Sequence, residues 1–267
     1  MLSLSGNEIV YICAITVFAY SLRGATGFGA AAAVPLMGLV VPVKVLVPAW
    51  TVLSFFGSVT ILLRDRRNIA WADLMRLLPS CMLGIAIGLF FFAALDSRTL
   101  AQALGVVTLL HGGLSLWASM RPADATVSSD STSGGRVGAG PPPGPRRSLW
   151  RDARLAGLLG GTIGTTMGAL SSLFFAMYFD AIGMPKNYFR ATISMAVVAI
   201  AFVRGLGYLA IGGYSRDVLL ILAITVPVTL IGIFIGERVQ TRLSELTFRR
   251  LVDVTLITSG FALLVAH

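Results

Sequence analysis

The apolar residues of this chain fall into long runs separated by short polar turns, and the first run is broken. It extends from Ile9 to Val41, but Arg23-Gly24-Ala25-Thr26-Gly27-Phe28-Gly29 interrupts it. Three glycines so close together disfavour continuous helix, at roughly 1 kcal/mol each relative to alanine. The pieces on either side, Ile9 to Tyr20 and Ala30 to Val41, are each too short to cross a ~30 Å hydrocarbon core alone. The pattern therefore predicts two half-depth or tilted helices forming a hairpin, ended by Pro42 and Lys44. Three full spans follow, Val45 to Leu63, Leu74 to Leu95 and Leu100 to Ser119.

Residues 120–151 differ in kind. They are rich in Pro, Gly, Ser, Thr and Asp, and Pro141-Pro142-Pro143-Gly144-Pro145 suits neither helix nor strand. The expectation is a disordered cytoplasmic linker between a first membrane repeat, 1–119, and a second, 152–267. The second half opens on another glycine-laden stretch, Leu155 to Ala169. Ser171-Ser172 and a short apolar piece, Leu173 to Ile182, follow, and Gly183, Pro185 and Lys186 end the hairpin. Tyr188 to Ile211, Val218 to Gly236 and Phe248 to Ala266 then read as spans. Pro79, Gly84 and Gly88 match Pro227, Gly232 and Gly236 in spacing and in place. Gly-x3-Gly alone is a common helix-packing face, but its recurrence in register with a proline indicates duplication.

Charge sets the orientation. Arg64-Asp65-Arg66-Arg67, the linker, Lys186 with Arg190, and the segment holding Arg238, Arg242, Arg249 and Arg250 all fall on one side if each broken hairpin returns to its starting side. By the positive-inside rule that side is cytoplasmic. Equivalent loops of the two halves then lie on opposite sides. The predicted fold is thus an all-α polytopic membrane protein of two inverted-topology repeats. Each repeat is a broken, re-entrant hairpin plus three transmembrane helices, and both termini are periplasmic.

Composition agrees. Charged residues make up 12% of the chain, about half the share in soluble domains. The net charge of +9 is spread over loops between spans, so it reports orientation rather than a nucleic-acid partner. Cys13 and Cys81 sit in apolar runs and read as packing residues. No metal-ligand spacing, nucleophile elbow or HExxH helix is present, and Gly24-x2-Gly27-x-Gly29 lacks the strand and Lys-Ser/Thr of a phosphate loop. The sequence gives no reason to expect an enzyme, a cofactor or a metal.

The glycine pattern with its alanine run and Val34-Pro35-Leu36 resembles the first-helix signature of the sulfite exporter TauE/SafE family. Gly160-Gly161, Gly164, Gly183-Met184-Pro185 and Arg190-Ala191-Thr192 are similar to its second half. Where relatives carry a further glycine-rich turn, this chain has Ala169-Leu170-Ser171-Ser172-Leu173. The resemblance covers essentially the whole chain apart from the linker. It implies a secondary transporter of small sulfur-containing or organic anions, such as sulfite or a sulfonate, in the bacterial inner membrane and driven by the proton gradient. An uncoupled anion channel, or an accessory membrane subunit of a sulfur-metabolism enzyme, stays open as an alternative, as does a homo-oligomer.

The candidate ligands follow from charge at membrane depth. An arginine inside lipid costs a few kcal/mol at minimum unless it faces water, protein or an anion. Arg23 is therefore the first candidate, with Gly24, Thr26, Gly27 and Gly29 offering backbone or hydroxyl donors beside it. Arg204 is either a second cation at the site or a residue snorkelling to the outer interface. Thr165, Thr166, Ser171 and Ser172 could donate to an oxyanion or simply bond their own helix. Asp180 and His111 are the candidates for proton coupling.

Overall fold

The computed structural model describes residues 5–26, 33–65, 68–120, 152–168, 170–239 and 257–265. The expected linker (apart from Met120), Gly27, Gly29 and the whole segment from 240 to 256 lie outside the described residues. Nine helices are bounded there: α1 (Gly6–Thr26), α2 (Ala33–Met37), α3 (Val43–Asp65), α4 (Trp71–Ala94), α5 (Ser97–Met120), α6 (Ala153–Met167), α7 (Ser171–Ala181), α8 (Lys186–Ala210) and α9 (Arg216–Val239). A further helical segment covers 257–265. Within the described residues, Val43–Leu63, Trp71–Ala94, Tyr188–Ala210 and Arg216–Gly236 are long and apolar enough to cross a membrane. Exposed Leu83, Phe90, Leu230 and Phe234 on α4 and α9 present apolar surface of the kind lipid solvates.

The broken segments behave differently from each other. The second is a hairpin. Gly168 turns the chain at φ +85°, a conformation that glycine adopts without strain. Its N–H donates back to the Gly164 carbonyl at 2.9 Å. α7 then runs back along α6, with Phe175 against Gly160 and Ser171 against Gly164. Ile182 and Tyr178 near the end of α7 consequently line one crevice with Asp152 and Ala153 at the start of α6. In the first segment, helix continues through Arg23 to Thr26, which corrects the expectation that it breaks at Arg23 and that the two pieces are of similar length. α1 has 21 residues, roughly 31 Å at 1.5 Å per residue, whereas α2 has only five. One glycine in a helix costs about 1 kcal/mol, and the packing of α1 along α9 outweighs it. Tyr11 on α1 donates to the Leu36 carbonyl on α2 at 3.1 Å, so this segment too doubles back.

Pairing between helices crosses the two halves of the chain. α4 packs most extensively on α6, α1 on α9, and α3 on α8. Glycines make these approaches possible. A Cβ on Gly84 would strike the Leu158 carbonyl, one on Gly161 the Cys81 carbonyl, and one on Gly88 would lie 2.8 Å from the Thr162 carbonyl. On the other seam a Cβ on Gly232 would lie 3.0 Å from the Val17 carbonyl, and one on Gly236 would strike that of Ser21. The matched glycines of α4 and α9 thus do the same job, each holding the first helix of the opposite half. Two interleaved bundles result, α1–α2–α3–α9 and α4–α6–α7–α8, and they meet where α3 lies on α8. Val34 of α2 and Val47 of α3 abut Gly168 there.

Replacing Gly161 by valine would force the α4–α6 seam apart, since backbone atoms face the new side chain. Overpacking of this kind costs about 1–3 kcal/mol or more. The expected result is a lowered melting temperature and loss of the monodisperse peak in detergent. Gly113→Ala is the control, because nothing lies within 4 Å of a Cβ there, and it should be neutral or slightly stabilising.

Candidate functional site

Two arginines are buried where the bundles meet, Arg23 at 4% exposure and Arg204 at 2%. α1 carries Arg23 into the side of α3. There Nη1 donates to Ser54 Oγ at 3.4 Å and Nη2 donates to Ser58 Oγ. The two serines stand one turn apart on α3, which is why a single guanidinium reaches both. Its Cζ also sits 5.8 Å from the centre of the Tyr20 ring, which packs on Trp50 at 5.4 Å. α8 carries Arg204 to the end of α6, where Nη1 donates to the carbonyls of Gly164 and, at 3.0 Å, Gly168. One turn further along α8, the Tyr208 hydroxyl donates to the Thr165 carbonyl. Three carbonyls at the C-terminal end of α6 are therefore held from α8.

Arg23 and Arg204 line one small cavity with Ser54, Gly168, Ser171, Ser172 and Val197. Its volume is about 10 Å³, room for roughly one water. The α7 N-terminus also faces it, and no side chain caps that end at Leu170. The backbone N–H groups of a first helical turn have no intrahelical partner, and the helix dipole makes them favour negative charge.

The polar inventory here is lopsided. No Asp or Glu whose side chain is described is buried. Nε of Arg23, Nε of Arg204, Trp50 Nε1 and Thr165 Oγ1 are buried without a hydrogen-bond partner among the described residues. Buried polar groups are paired in the great majority of cases. A set of unpaired groups that are all able to donate, beside two cations, is what an anion would satisfy.

The expected site residues divide accordingly. Arg23, Arg204, Ser171 and Ser172 come together at the cavity. Arg204 does not snorkel; its guanidinium points to the centre of the fold. Thr165 is adjacent through its carbonyl bond with Tyr208. Thr166 Oγ1 instead donates to the Thr162 and Ile163 carbonyls of its own helix, at 3.0 and 3.1 Å. Gly24 and Thr26 lie in the last turns of α1, but the Thr26 side chain is not among those described, nor is that of His111 in α5. Asp180 is exposed near the end of α7 and does not line the cavity. Sequence reading missed Ser54, Ser58, Tyr20, Trp50 and Tyr208. The Ser54–Ser58 spacing within an apolar span was the one available signal.

These features define a multi-pass α-helical membrane protein with two cations buried where its bundles meet. The model of the Sulfite exporter TauE/SafE family matches residues 12–263, and the chain belongs to that family, which is one of membrane transporters. No curated protein and no solved structure matches the chain.

The hydroxyl of Thr165 is buried and unpaired while that of Thr166 is satisfied locally, so the two valine substitutions should differ. Thr165→Val relieves an unmet polar group, worth about 1–3 kcal/mol, and should raise the melting temperature in detergent. Thr166→Val should change it by less than 2 °C, or about 0.5 kcal/mol.

Proposed function

We propose that this protein is a secondary transporter that moves small sulfur-containing or organic anions, such as sulfite or a simple sulfonate, across the bacterial inner membrane by alternating access. The observation that carries this reading is the excess of buried, unpaired donors around Arg23 and Arg204 with no buried carboxylate beside them among the described side chains. An oxyanion entering the cavity would gain Arg23, the Ser54, Ser171 and Ser172 hydroxyls and the α7 N-terminus. One incompletely neutralised cation lowers the cost of stripping water from the anion while still permitting release. The basic loops support a cytoplasmic linker and periplasmic termini, and the reading takes the proton gradient as the driving force.

Two inverted repeats fit the reciprocal pairing of α1 with α9 and α6 with α4, and the doubling back of both broken segments. A cavity of about 10 Å³ fits a closed site that has to open before an anion larger than water can enter. The bodies that separate in this reading are the interleaved bundles rather than the two sequence halves. Both arginines bond within their own bundle, as do Ser21 to Gly232 and Ser80 to Ala153. Opening across α3 and α8 leaves all of these bonds in place.

The direct test is flux of labelled sulfite and simple sulfonates into proteoliposomes with and without a pH gradient. Saturable, gradient-sensitive flux is expected. Arg23→Ala should reduce it about 10- to 100-fold, the equivalent of losing charged hydrogen bonds worth about 1.5–3 kcal/mol. Unsaturable flux would identify a channel, and no flux of any tested anion from folded protein would sink the transport reading.

A second test concerns the moving parts. With Cys13 and Cys81 replaced, cysteines at Phe55 and Phe202, whose rings lie 6.4 Å apart across α3 and α8, should abolish flux when joined by a short thiol cross-linker. Joining Ser80→Cys to Ala153→Cys, across the halves but within one bundle, should leave flux near the wild-type rate. Loss of flux in the second pair would show that the halves move instead.

A further inference from the structure

Arg23 and Arg204 line the same cavity, but their partners are chemically opposite. Arg23 donates to two serine hydroxyls, neutral groups that leave its charge essentially whole and that can rotate to donate elsewhere. Arg204 donates to carbonyls at the C-terminal end of α6. That end carries the equivalent of about −0.5 charge and would by itself repel an anion in the cavity. Beyond Gly164, whose carbonyl also accepts from the Gly168 N–H, a helix leaves its last carbonyls without intrahelical partners. Tyr208, one turn away and fully buried, makes the same kind of bond to Thr165. Tyr208 does not line the cavity, so its bond has a structural purpose only.

We propose that Arg204 is a positioning residue, which together with Tyr208 clamps the C-terminal end of α6 and cancels its negative potential, leaving Arg23 as the cation that meets the anion. This rests on the anion-transport reading and assigns Arg204 a role different from the second site cation or snorkelling residue that sequence alone suggests. The geometry explains the arrangement at Gly168. The chain must reverse there to present the α7 N-terminus to the cavity, and a reversal places the negative end of α6 beside the positive end of α7. Without the clamp the two ends largely offset each other. With it, the α7 N–H groups, Ser171 and Ser172 present a net positive face toward Arg23.

The experiment measures apparent melting temperature in detergent, with and without sulfite, alongside the concentration dependence of sulfite flux. The proteins compared are wild type, Arg23→Gln, Arg204→Lys, Arg204→Met, Tyr208→Phe and the Arg204→Met/Tyr208→Phe double variant. Arg204→Met and Tyr208→Phe should each lower the melting temperature without sulfite by about 4 °C or more, and their effects should be less than additive because they hold one helix end. Arg204→Lys keeps a charged donor, and should recover most of that stability and a half-saturating sulfite concentration within about threefold of wild type. Arg23→Gln should hold or raise the basal melting temperature, lose the sulfite-induced rise and increase the half-saturating concentration at least tenfold. The proposal is overturned if Arg204→Lys loses sulfite-induced stabilisation at unchanged basal stability, since that is how a ligand behaves. It is equally overturned if Arg204→Met and Tyr208→Phe leave basal stability untouched. Absence of any sulfite effect in the wild type would count against the anion reading instead, while the stability pattern would still decide whether the clamp exists.

Discussion

Two guanidinium groups buried without a buried carboxylate among the described side chains are the constraint on which the rest of this structure depends. Taking a charge out of water costs several kcal/mol even after relaxation. Sequence offers cheaper ways to fill a membrane span. The fold keeps both charges inside by surrounding them with neutral acceptors of fixed geometry: two hydroxyls of α3 for Arg23, and helix-end carbonyls of α6 for Arg204. The Gly168 carbonyl is available to Arg204 because the chain reverses there. A continuous helix would have consumed the Gly168 carbonyl in its own ladder, as the Gly168 N–H engages that of Gly164. The break is thus the structural condition for the charge, not merely its neighbour.

The glycine seams are the second condition. Helices in lipid gain nothing from excluding water from one another, so they associate through close packing and hydrogen bonds. Gly84 against Gly161 brings α4 and α6 to backbone contact, and Gly236 against Ser21 does the same for α9 and α1. Each broken segment is anchored along its first helix by a span from the opposite half of the chain. The tip of the second, at Gly168, is then free of that seam and lies against Val34 and Val47 of the other bundle. The most enclosed of the four candidate spans is α3, with 61% of its window buried against 33% for α4 and α9. The contact between bundles accordingly runs through the centre, and the cavity lies on it.

Much of the fold was legible because its signals are periodic or chemical. Apolar runs gave five of the spans to within a few residues, and the Pro79 and Pro227 motifs marked the two helices that form seams. The second break was visible in Gly168 with Ser171-Ser172. What could not be read were distances across the fold. Nothing local to Ser54 or Ser58 says that Arg23 will donate to them. Nothing around Tyr208 says that its hydroxyl ends on Thr165. The end of α1 was misplaced for a related reason: propensity weighs Gly24 and Gly27 alike, whereas the packing of α1 along α9 carries helix past the first of them. Thr166 shows the converse, since a hydroxyl that looked available is satisfied one turn away on its own helix.

The register of the seams adds a last point about how such a site is built. A Cβ at Gly84 meets the Leu158 carbonyl and one at Gly232 meets that of Val17; at Gly88 and Gly236 the counterparts are Thr162 and Ser21. Val17 therefore corresponds to Leu158 and Ser21 to Thr162, and two residues further on Arg23 corresponds to Gly164. In one half the broken segment supplies the arginine and the following span supplies the acceptors. In the other the following span, α8, supplies the arginine and the broken segment, through Gly164, supplies the acceptor. Each segment is thus fastened to the span after it by one guanidinium, with donor and acceptor exchanged. A duplicated scaffold with arginines at both equivalent positions would give a pair of like sites facing each other. Exchanging the roles instead leaves one cation with only hydroxyl partners and commits the other to a helix end, which is how two matching glycine seams come to flank one asymmetric centre.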